Sequence, residues 1–436
     1  MTSLAPPELL RDLIRFDTTN PPGNERPCIE YINSLLTEAG FSTVILAKDP
    51  ERPNLIARLA GQGKAPPLLL YGHVDVVTTD RQTWQHPPFD GLLLDGYIWG
   101  RGALDMKGGV VMMLAALLRA REEGHPPAGD VVLALVSDEE AGGYFGARYL
   151  VEEHPQLFHG IRYAIGEFGG FSFTVAGRRF YPIMVAEKQV CRLRATVRGP
   201  GGHGSLHWRG GAMARLSNML KRLDEKPLPV HVTSVTRLMF REISSNLPFP
   251  QNFILSQLLN PHFTQPILGL LGERGRTFEP LFRHTVNATI VRGGEKVNVI
   301  PSEIVVDMDG RLLPGFSPDG LLAEVEQIVG SDVDLELVRH DPGPATPDLG
   351  LFDALASILR EADPSGVPVP MLLPAATDGR LFARLGIQTY GFLPMPLPAE
   401  FNFSETIHSA DERIPVAALQ FGTEAIYQLI KRFGNG

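Results

Sequence analysis

Residues 68–75 read LLLYGHVD, and residues 131–140 read VVLALVSDEE. Each stretch is a short, almost unbroken apolar run that ends in polar and charged residues. Such runs are typical of strands that are buried on both faces of a helix-covered parallel sheet. Residues 163–167, YAIGE, repeat the pattern, and the apolar segment 109–123 predicts a buried helix between the first two strands. The first part of the chain therefore predicts an α/β fold with a mixed, mostly parallel sheet.

The pattern changes near residue 190, which indicates a second domain. Residues 191–198, CRLRATVR, alternate apolar and polar side chains, as in a strand with one exposed face. The following helices and alternating strands predict a small α+β domain over residues 189–341. We expect it to interrupt an α/β domain formed by residues 1–188 and 342–436. Residues 227–283, rich in Pro, Phe and Leu, are interpreted as a further, partly helical insertion.

Composition excludes several classes of protein. The chain has 436 residues, of which 44% are hydrophobic and 20% charged, as in a globular protein rather than a disordered one. The net charge of −9 and the lack of a basic cluster argue against nucleic acid as a partner. The longest apolar run, residues 110–118, is too short to span a membrane. With Cys28 and Cys191 as its two cysteines and no signal-peptide pattern, the chain is expected to be cytoplasmic.

Polar side chains follow the three buried strands at the point where each strand ends. Ligands in open α/β sheets bind beyond the carboxyl ends of the strands. A histidine and several carboxylates at one edge are costly unless cations neutralise them, and this donor set suits Zn, Mn or Co. The sequence therefore predicts a divalent metal site at this edge. Its candidate residues are His73, Asp75, Glu139, Glu140, Glu167 and, before the buried helix, Asp105.

A glycine-rich loop offers an alternative function. Residues 199–204, GPGGHG, follow a strand, precede a helix and match the spacing of a dinucleotide-binding loop. However, the preceding strand has a polar face, and Pro200 lacks an amide that could face a pyrophosphate. We favour a loop that presents His203 to a substrate oxygen. A nucleotide-binding or regulatory protein without hydrolase activity is the alternative.

Nine motifs carry a resemblance to a known family. They are YGHVDVV (71–77), PPFDG (87–91), IWGRGALDMKGG (98–109), SDEE (137–140), GGHGS (201–205), NVIP (298–301), DGR (309–311), TDGR (377–380) and HSADER (408–413). With these motifs the chain resembles the M20 metallopeptidases, which include acetylornithine deacetylase, succinyl-diaminopimelate desuccinylase, aminoacylases and carboxypeptidases. The GGHGS and HSADER motifs most resemble the carboxypeptidase S-like branch.

The resemblance implies a catalytic domain of the zinc-peptidase type that holds two metal ions, zinc or else cobalt or manganese, bridged by Asp105. His73 and Glu167 would hold one ion, and Glu140 and His408 would hold the other. Of the two remaining acidic residues at this edge, the resemblance implies that Asp75 orients His73 and that Glu139 is the general base.

The resemblance also assigns a role to the inserted domain, which would act as a lid and as the interface of a homodimer. It implies that His203 stabilises the reacting carbonyl oxygen and that Arg311, Arg380 and Asn298 bind the substrate. The expected activity is metal-dependent hydrolysis of an amide bond in a small peptide or an N-acyl amino acid, of the carboxypeptidase or the aminoacylase (deacetylase) type. A metal-binding but inert homologue is a third possibility, against which the presence of Glu139 argues.

Overall fold

The computed structural model describes residues 5–124 and 126–434. The chain divides into two compact units. The catalytic unit, as we call it below, comprises Met1–Val185, Asp348–Met371 and Thr377–Gly436. The inserted unit comprises Ala186–Pro347 and Leu372–Ala376.

Fourteen α-helices lie in the described residues. They are α1 (Pro6–Ile14), α2 (Arg26–Glu38), α3 (Lys107–Glu122), α4 (Ala147–Glu153), α5 (Ala212–Glu225), α6 (Ser234–Ser245), α7 (Gln251–Gln257), α8 (Pro261–Leu270), α9 (Glu273–Phe278), α10 (Pro318–Val329), α11 (Phe352–Ala362), α12 (Gly379–Phe382), α13 (Phe403–Thr406) and α14 (Val416–Arg432).

The same described residues contain eighteen strands. They are β1 (Ser42–Leu46), β2 (Asn54–Leu59), β3 (Leu68–His73), β4 (Leu92–Leu94), β5 (Tyr97–Trp99), β6 (Val131–Val136), β7 (Tyr163–Gly166), β8 (Phe173–Val175), β9 (Arg178–Glu187), β10 (Gln189–Arg198), β11 (Gly202–His203), β12 (Thr285–Arg292), β13 (Val299–Ile300), β14 (Glu303–Leu312), β15 (Val333–Asp341), β16 (Val367–Leu373), β17 (Gln388–Gly391) and β18 (Arg413–Pro415).

The central sheet of the catalytic unit has the order β1-β2-β6-β3-β7-β17-β9-β16, with β8 paired to β9. Its four middle strands, β6, β3, β7 and β17, are parallel, and β1, β2 and β9 add antiparallel pairs. Every residue of β3, β6 and β7 is buried, which explains their unbroken apolar sequences. The predicted mixed sheet, with parallel strands at its centre, is confirmed.

Helix α3 is apolar on nearly all sides because almost all of it is buried. Twelve of its sixteen residues are buried, including Gly108 and Gly109 at its start. A Cβ atom on Gly108 would lie 2.2 Å from the carbonyl oxygen of Ala103. Only glycine therefore allows the helix to begin so close to the loop that carries Asp105.

The inserted unit is a two-layer α+β structure. Its antiparallel sheet has the order β12-β14-β10-β15. Alternate residues of β10 and β14 are buried in one core together with apolar side chains of α5 and α10. The opposite face of the sheet carries the polar residues of the alternating pattern.

The insertion at residues 227–283, which has the least regular sequence pattern, is mostly helical. Residues 234–278 form α6 to α9. Two of these helices begin at side-chain caps that the sequence contains: the Thr233 hydroxyl accepts from the Thr236 N–H, and the Asn260 side chain accepts from the His262 N–H. Among the described residues, no helix combines the length and the apolar character that crossing a membrane requires.

Candidate active site

The parallel strands bring the predicted metal ligands to one edge of the sheet. His73 is the last residue of β3 and pairs in register with Val136, the last residue of β6. Glu139 and Glu140 lie in a single 3-10 turn three residues later. Glu167 follows β7, which is the parallel neighbour of β3 on its other side. The side chains thus meet because their strands are adjacent and point the same way.

Two groups of potential metal ligands share Asp105. The first contains His73, Asp105 and Glu167, and the second contains Asp105, Glu140 and His408. The Nε2 atom of His73 lies 3.1 Å from Asp105 Oδ1 and 3.5 Å from Glu167 Oε2. The Nε2 atom of His408 lies 3.1 Å from Asp105 Oδ2 and 3.3 Å from Glu140 Oε1. Each carboxylate oxygen of Asp105 therefore faces a different histidine.

The hydrogen-bonding of His73 tests whether a cation fits this site. Its Nδ1 lies 2.9 Å from the backbone carbonyl oxygen of Asp75, so Nδ1 carries the proton. In a neutral ring, Nε2 then presents a lone pair to two carboxylates. Glu167 Oε2 and Glu140 Oε1 are buried and accept no hydrogen bond. Ligand atoms around a tetrahedral zinc ion are about 3.4 Å apart, given Zn–N and Zn–O distances of about 2.0–2.2 Å, so the donor set fits divalent cations.

The electrostatics of the site reflect an excess of negative charge. Burial and the charges of Asp105 and Glu140 raise the pKa of Glu167 to about 8 against the opposing effect of His73. The neighbouring His408 and His73 outweigh burial and hold the pKa of Asp105 well below its usual range. The neighbouring carboxylates of Asp105 and Glu140 raise the pKa of His408 to about 10. Carboxylates in this arrangement require added positive charge, from protons or from metal ions.

Asp75 contacts more than His73. Its carboxylate lies 3.5 Å from His73 Nδ1, and it accepts hydrogen bonds from the backbone N–H groups of Glu139 (3.1 Å) and Glu140 (3.2 Å). It also accepts one from the side-chain amide of Asn20 at 2.8 Å. Asp75 thus links the end of β3 to the turn that follows β6.

The sequence patterns did not predict a buried hydrogen-bond network next to Asp75. Asp138 has a left-handed backbone (φ +69°) and accepts hydrogen bonds from Asn20, Arg52 and the Phe145 N–H. Arg52 in turn pairs with the fully buried Glu25. Asp138 lies within the SDEE motif, which could have drawn attention to it. Its partners Asn20 and Arg52 come from distant segments that no motif marks.

Glu412 and Arg101 join the loops that carry Asp105 and His408. Glu412 accepts hydrogen bonds from the backbone N–H groups of Leu104 (2.7 Å) and Asp105 (3.1 Å). Arg101 donates to Glu412 at 2.6 Å and to the carbonyl oxygen of His408 at 3.2 Å. Both charged residues are buried, and they lie within the IWGRGALDMKGG and HSADER motifs. The motifs alone did not predict that the two residues join these loops.

Glu139 lies beside the two ligand groups and belongs to neither. Burial and the charges of Glu167 and Asp378 raise its pKa well above the usual value. Arg380 Nη1 is 4.0 Å from Glu139 Oε1, and the guanidinium donates to the carbonyl oxygens of Thr377 and Gly142. The catalytic unit therefore holds Arg380 next to Glu139.

The inserted unit carries the other predicted site residues. His203, on β11, pairs with Val299 on β13, and the Gly204 N–H donates to the carbonyl oxygen of Asn298 at 2.8 Å. His203 and Asn298 therefore lie close together. Arg311 lies on β14, where its Nε donates to Asp309 at 3.1 Å.

The surroundings of the glycine-rich loop, residues 199–204, differ from those of a phosphate-binding loop. The Gly199 N–H donates to the carbonyl oxygen of Ser302, and the Gly204 N–H is also used within the inserted unit. The preceding strand, β10, is antiparallel to both of its neighbours. A dinucleotide site needs free amides at the end of a parallel strand, so the nucleotide-binding alternative is not favoured.

A third cluster of potential ligands lies in the inserted unit and contains His231, His284 and Glu324. His284 Nδ1 accepts a hydrogen bond from the Leu313 N–H at 3.0 Å, so its Nε2 is protonated and cannot bind an ion. His231 Nε2 lies 2.7 Å from Glu324 Oε1, as a direct hydrogen bond requires. We therefore assign no ion to this cluster.

An apolar pocket adjoins the shared ligand Asp105. Aromatic residues Phe168, Phe171 and Phe403 line it together with Leu393 and Met395. Phe171 and Phe403 are stacked, with ring centroids 4.1 Å apart. The pocket places apolar surface directly beside the two ligand groups.

Adjacent histidine–carboxylate groups at the carboxyl edge of a parallel sheet are the donor set that a metal-dependent hydrolase would use. The family model described as peptidase family M20/M25/M40 matches residues 69–432. The chain belongs to this family, and the family resemblance expected from the motifs is confirmed.

Two relatives and one solved structure illustrate the similarity. The chain is 29% identical over 390 residues to the probable carboxypeptidase S-like 2 of Dictyostelium discoideum. The match covers 84% of this chain and 71% of the relative. It is 30% identical over 386 residues to the N-fatty-acyl-amino acid synthase/hydrolase PM20D1 of Homo sapiens, covering 85% and 75%. The crystal structure of the M20 family metallo-carboxypeptidase Sso-CP2 from Sulfolobus solfataricus matches with a TM-score of 0.72 at 15% identity, covering 99% of this chain and 100% of that chain.

Proposed function

We propose that this protein is a dinuclear metal-dependent hydrolase that cleaves the amide bond of an N-acyl amino acid or small peptide with a free carboxylate. The observation that carries the proposal is the position of Asp105, whose two oxygens face His73 and His408 separately. A carboxylate in that position can serve two ions at once. The metal dependence of the M20 family supports the same conclusion.

In this proposal one ion is held by His73, Asp105 and Glu167, and the other by Asp105, Glu140 and His408. When bound, a pair of divalent ions, zinc or else cobalt or manganese, acidifies water and polarises the substrate carbonyl. Glu139 accepts the proton from the attacking water and later delivers it to the leaving amine. Asp75 holds the turn of Glu139 and Glu140 against His73 through the hydrogen bonds described above.

We propose that the two ends of the substrate contact different parts of the chain. We propose that the apolar surface of Phe168, Phe171 and Phe403 beside Asp105 borders the acyl group or side chain of the substrate. The name of the human relative, which refers to N-fatty-acyl amino acids, supports an apolar acyl group. For the free carboxylate we propose Arg311 and Asn298, with Arg380 as a further candidate, because a guanidinium can bind a carboxylate with two parallel hydrogen bonds.

His203 is proposed to donate a hydrogen bond to the reacting carbonyl oxygen. Its Nδ1 accepts from the Ser205 N–H at 3.3 Å, which leaves the ring proton on Nε2. We expect His203→Ala to lower kcat by about 10²-fold, as for other oxyanion donors, while metal content stays normal. Steady-state kinetics and elemental analysis check this, with the exposed His207→Ala as the matched control. An unchanged kcat would contradict the role.

Hydrolysis by the metal-reconstituted full chain tests the proposed function directly. N-acyl amino acids with short and long acyl chains and a set of dipeptides are assayed with zinc, cobalt and manganese. We expect release of a free amino acid from at least one series, up to two ions per chain by elemental analysis, and loss of turnover with a chelator. Protein that binds no divalent ion, or that binds ions and hydrolyses none of the compounds, would contradict the proposal.

A further inference from the structure

The helical insertion at residues 227–283 presents a group of large apolar side chains on its surface. The most exposed are Phe249 (80% exposed), Leu270 (77%), Phe253 (58%) and Phe263 (51%). Phe249 and Phe253 lie two residues on either side of the start of α7, and the other two lie on α8, which contacts α7. Single exposed apolar residues are ordinary, whereas a group of large ones marks a contact surface. We call this group the insertion face.

Helix α8 turns its apolar side outward. Phe263, Ile267 and Leu270 are spaced four and three residues apart, so they lie on one side of the helix. The buried residues of α8 are Thr264 and Leu268, and the Thr264 hydroxyl donates to backbone carbonyl oxygens. The core thus takes one threonine and one leucine from α8 and leaves the apolar stripe outside. A helix that faced only water would have the reverse arrangement.

The insertion face lies in a segment without charged residues. Residues 246–272 contain no Asp, Glu, Lys or Arg, although 20% of the whole chain is charged. An exposed surface that faces only water normally carries charged side chains. The absence of charge from this segment therefore favours an apolar partner.

Arginines flank the insertion face on both sides in the chain. Arg237 and Arg241 lie on α6, and Arg276 lies on α9. Arg241 and Arg276 are exposed, and none of the three forms an ion pair within the described residues. Residues 234–278 contain four arginines and two glutamates, a net positive charge in a chain whose total is −9. An apolar face between unpaired arginines is complementary to hydrocarbon beneath a layer of phosphate groups.

We propose that the insertion face binds a lipid surface that contains anionic headgroups. Phe249, Phe253, Phe263 and Leu270 enter the boundary between headgroups and acyl chains, and the flanking arginines contact the phosphates. A second copy of this chain fits the face less well, because a symmetric contact would bring the like-charged arginines of the two copies together. The proposal is independent of hydrolytic activity.

Vesicle sedimentation of the full chain tests the proposal. The vesicles contain phosphatidylcholine alone, or three parts phosphatidylcholine to one part phosphatidylglycerol. We expect binding to the mixed vesicles that weakens as salt is added, since salt screens the arginines. The double variant Phe249→Ser and Leu270→Ser should lower the partition coefficient at least about 10-fold. Arg241→Ser should lower it about 5-fold on the mixed vesicles only.

Leu93→Ser is the matched control, because Leu93 is exposed on β4 in the catalytic unit and should not affect binding. Circular dichroism establishes that each variant is folded, and gel filtration measures its oligomeric state. A wild-type chain that binds neither vesicle, or a double variant that binds as well as the wild type, would overturn the proposal. Equal binding to both vesicles would contradict the role of the arginines. A dimer that the double variant converts to a monomer would assign the face to a second copy.

Discussion

Asp105→Ala is expected to remove both metal ions at once and to lower turnover at least about 10³-fold, since bound ions contribute several kcal/mol to the transition state. The reason is that each oxygen of Asp105 lies 3.1 Å from a different histidine. Elemental analysis after dialysis against a fixed free zinc concentration measures the effect, together with hydrolysis of the best substrate.

Single-group variants supply the controls for this result. Glu167→Ala alters only the ligand group that contains His73. It should therefore weaken the binding of one ion and leave the binding of the other unchanged. The exposed Asp80→Ala should retain both ions and full activity. If Asp105→Ala still binds one ion with the affinity of the wild type, the carboxylate is not shared and the dinuclear proposal is wrong. Circular dichroism establishes that each variant is folded.

Glu139→Gln and Glu140→Gln are expected to lose hydrolytic activity for different reasons. Glu140 Oε1 lies 3.3 Å from His408 Nε2, within a ligand group, whereas Glu139 lies outside both groups. Glu139→Gln keeps the shape of the side chain and cannot accept a proton. It should retain both metal ions and substrate binding, yet lose turnover by about 10²-fold or more. Glu140→Gln should first lose metal affinity.

A zinc titration separates the two neighbours. Excess zinc should partly restore hydrolysis by Glu140→Gln and leave Glu139→Gln inactive. The reverse pattern would mean that the two roles are exchanged. Full activity in both variants would show that this turn takes no part in the reaction, and the proposed mechanism would then be wrong.

The sequence alone was sufficient for the parts of the molecule that depend on local patterns. Unbroken apolar runs predict β3, β6 and β7, and glycines and apolar residues predict the buried helix α3. Since parallel strands end at one edge, the same runs predict that His73, Glu140 and Glu167 meet. The motifs were also sufficient for the family, because its functional residues lie in short, contiguous segments.

Only the tertiary structure decided which atoms face one another. Asp105 and His408 are far apart in the chain, and their contact depends on the brace of Glu412 and Arg101. No periodicity encodes such a contact, because it arises from side chains that loops bring together after the core has packed.

The same holds for Lys188, a buried lysine between β9 and β10. In the sequence it is one lysine at the edge of a strand, with nothing to distinguish it from exposed lysines. Its burial and its place beside Thr285 and Arg311 follow from the pairing of β12, β14 and β10, which are distant in the chain. Hydrophobic patterning determines which face of each strand is buried. Strand order and register determine which charges share the other face, and those are properties of the folded chain.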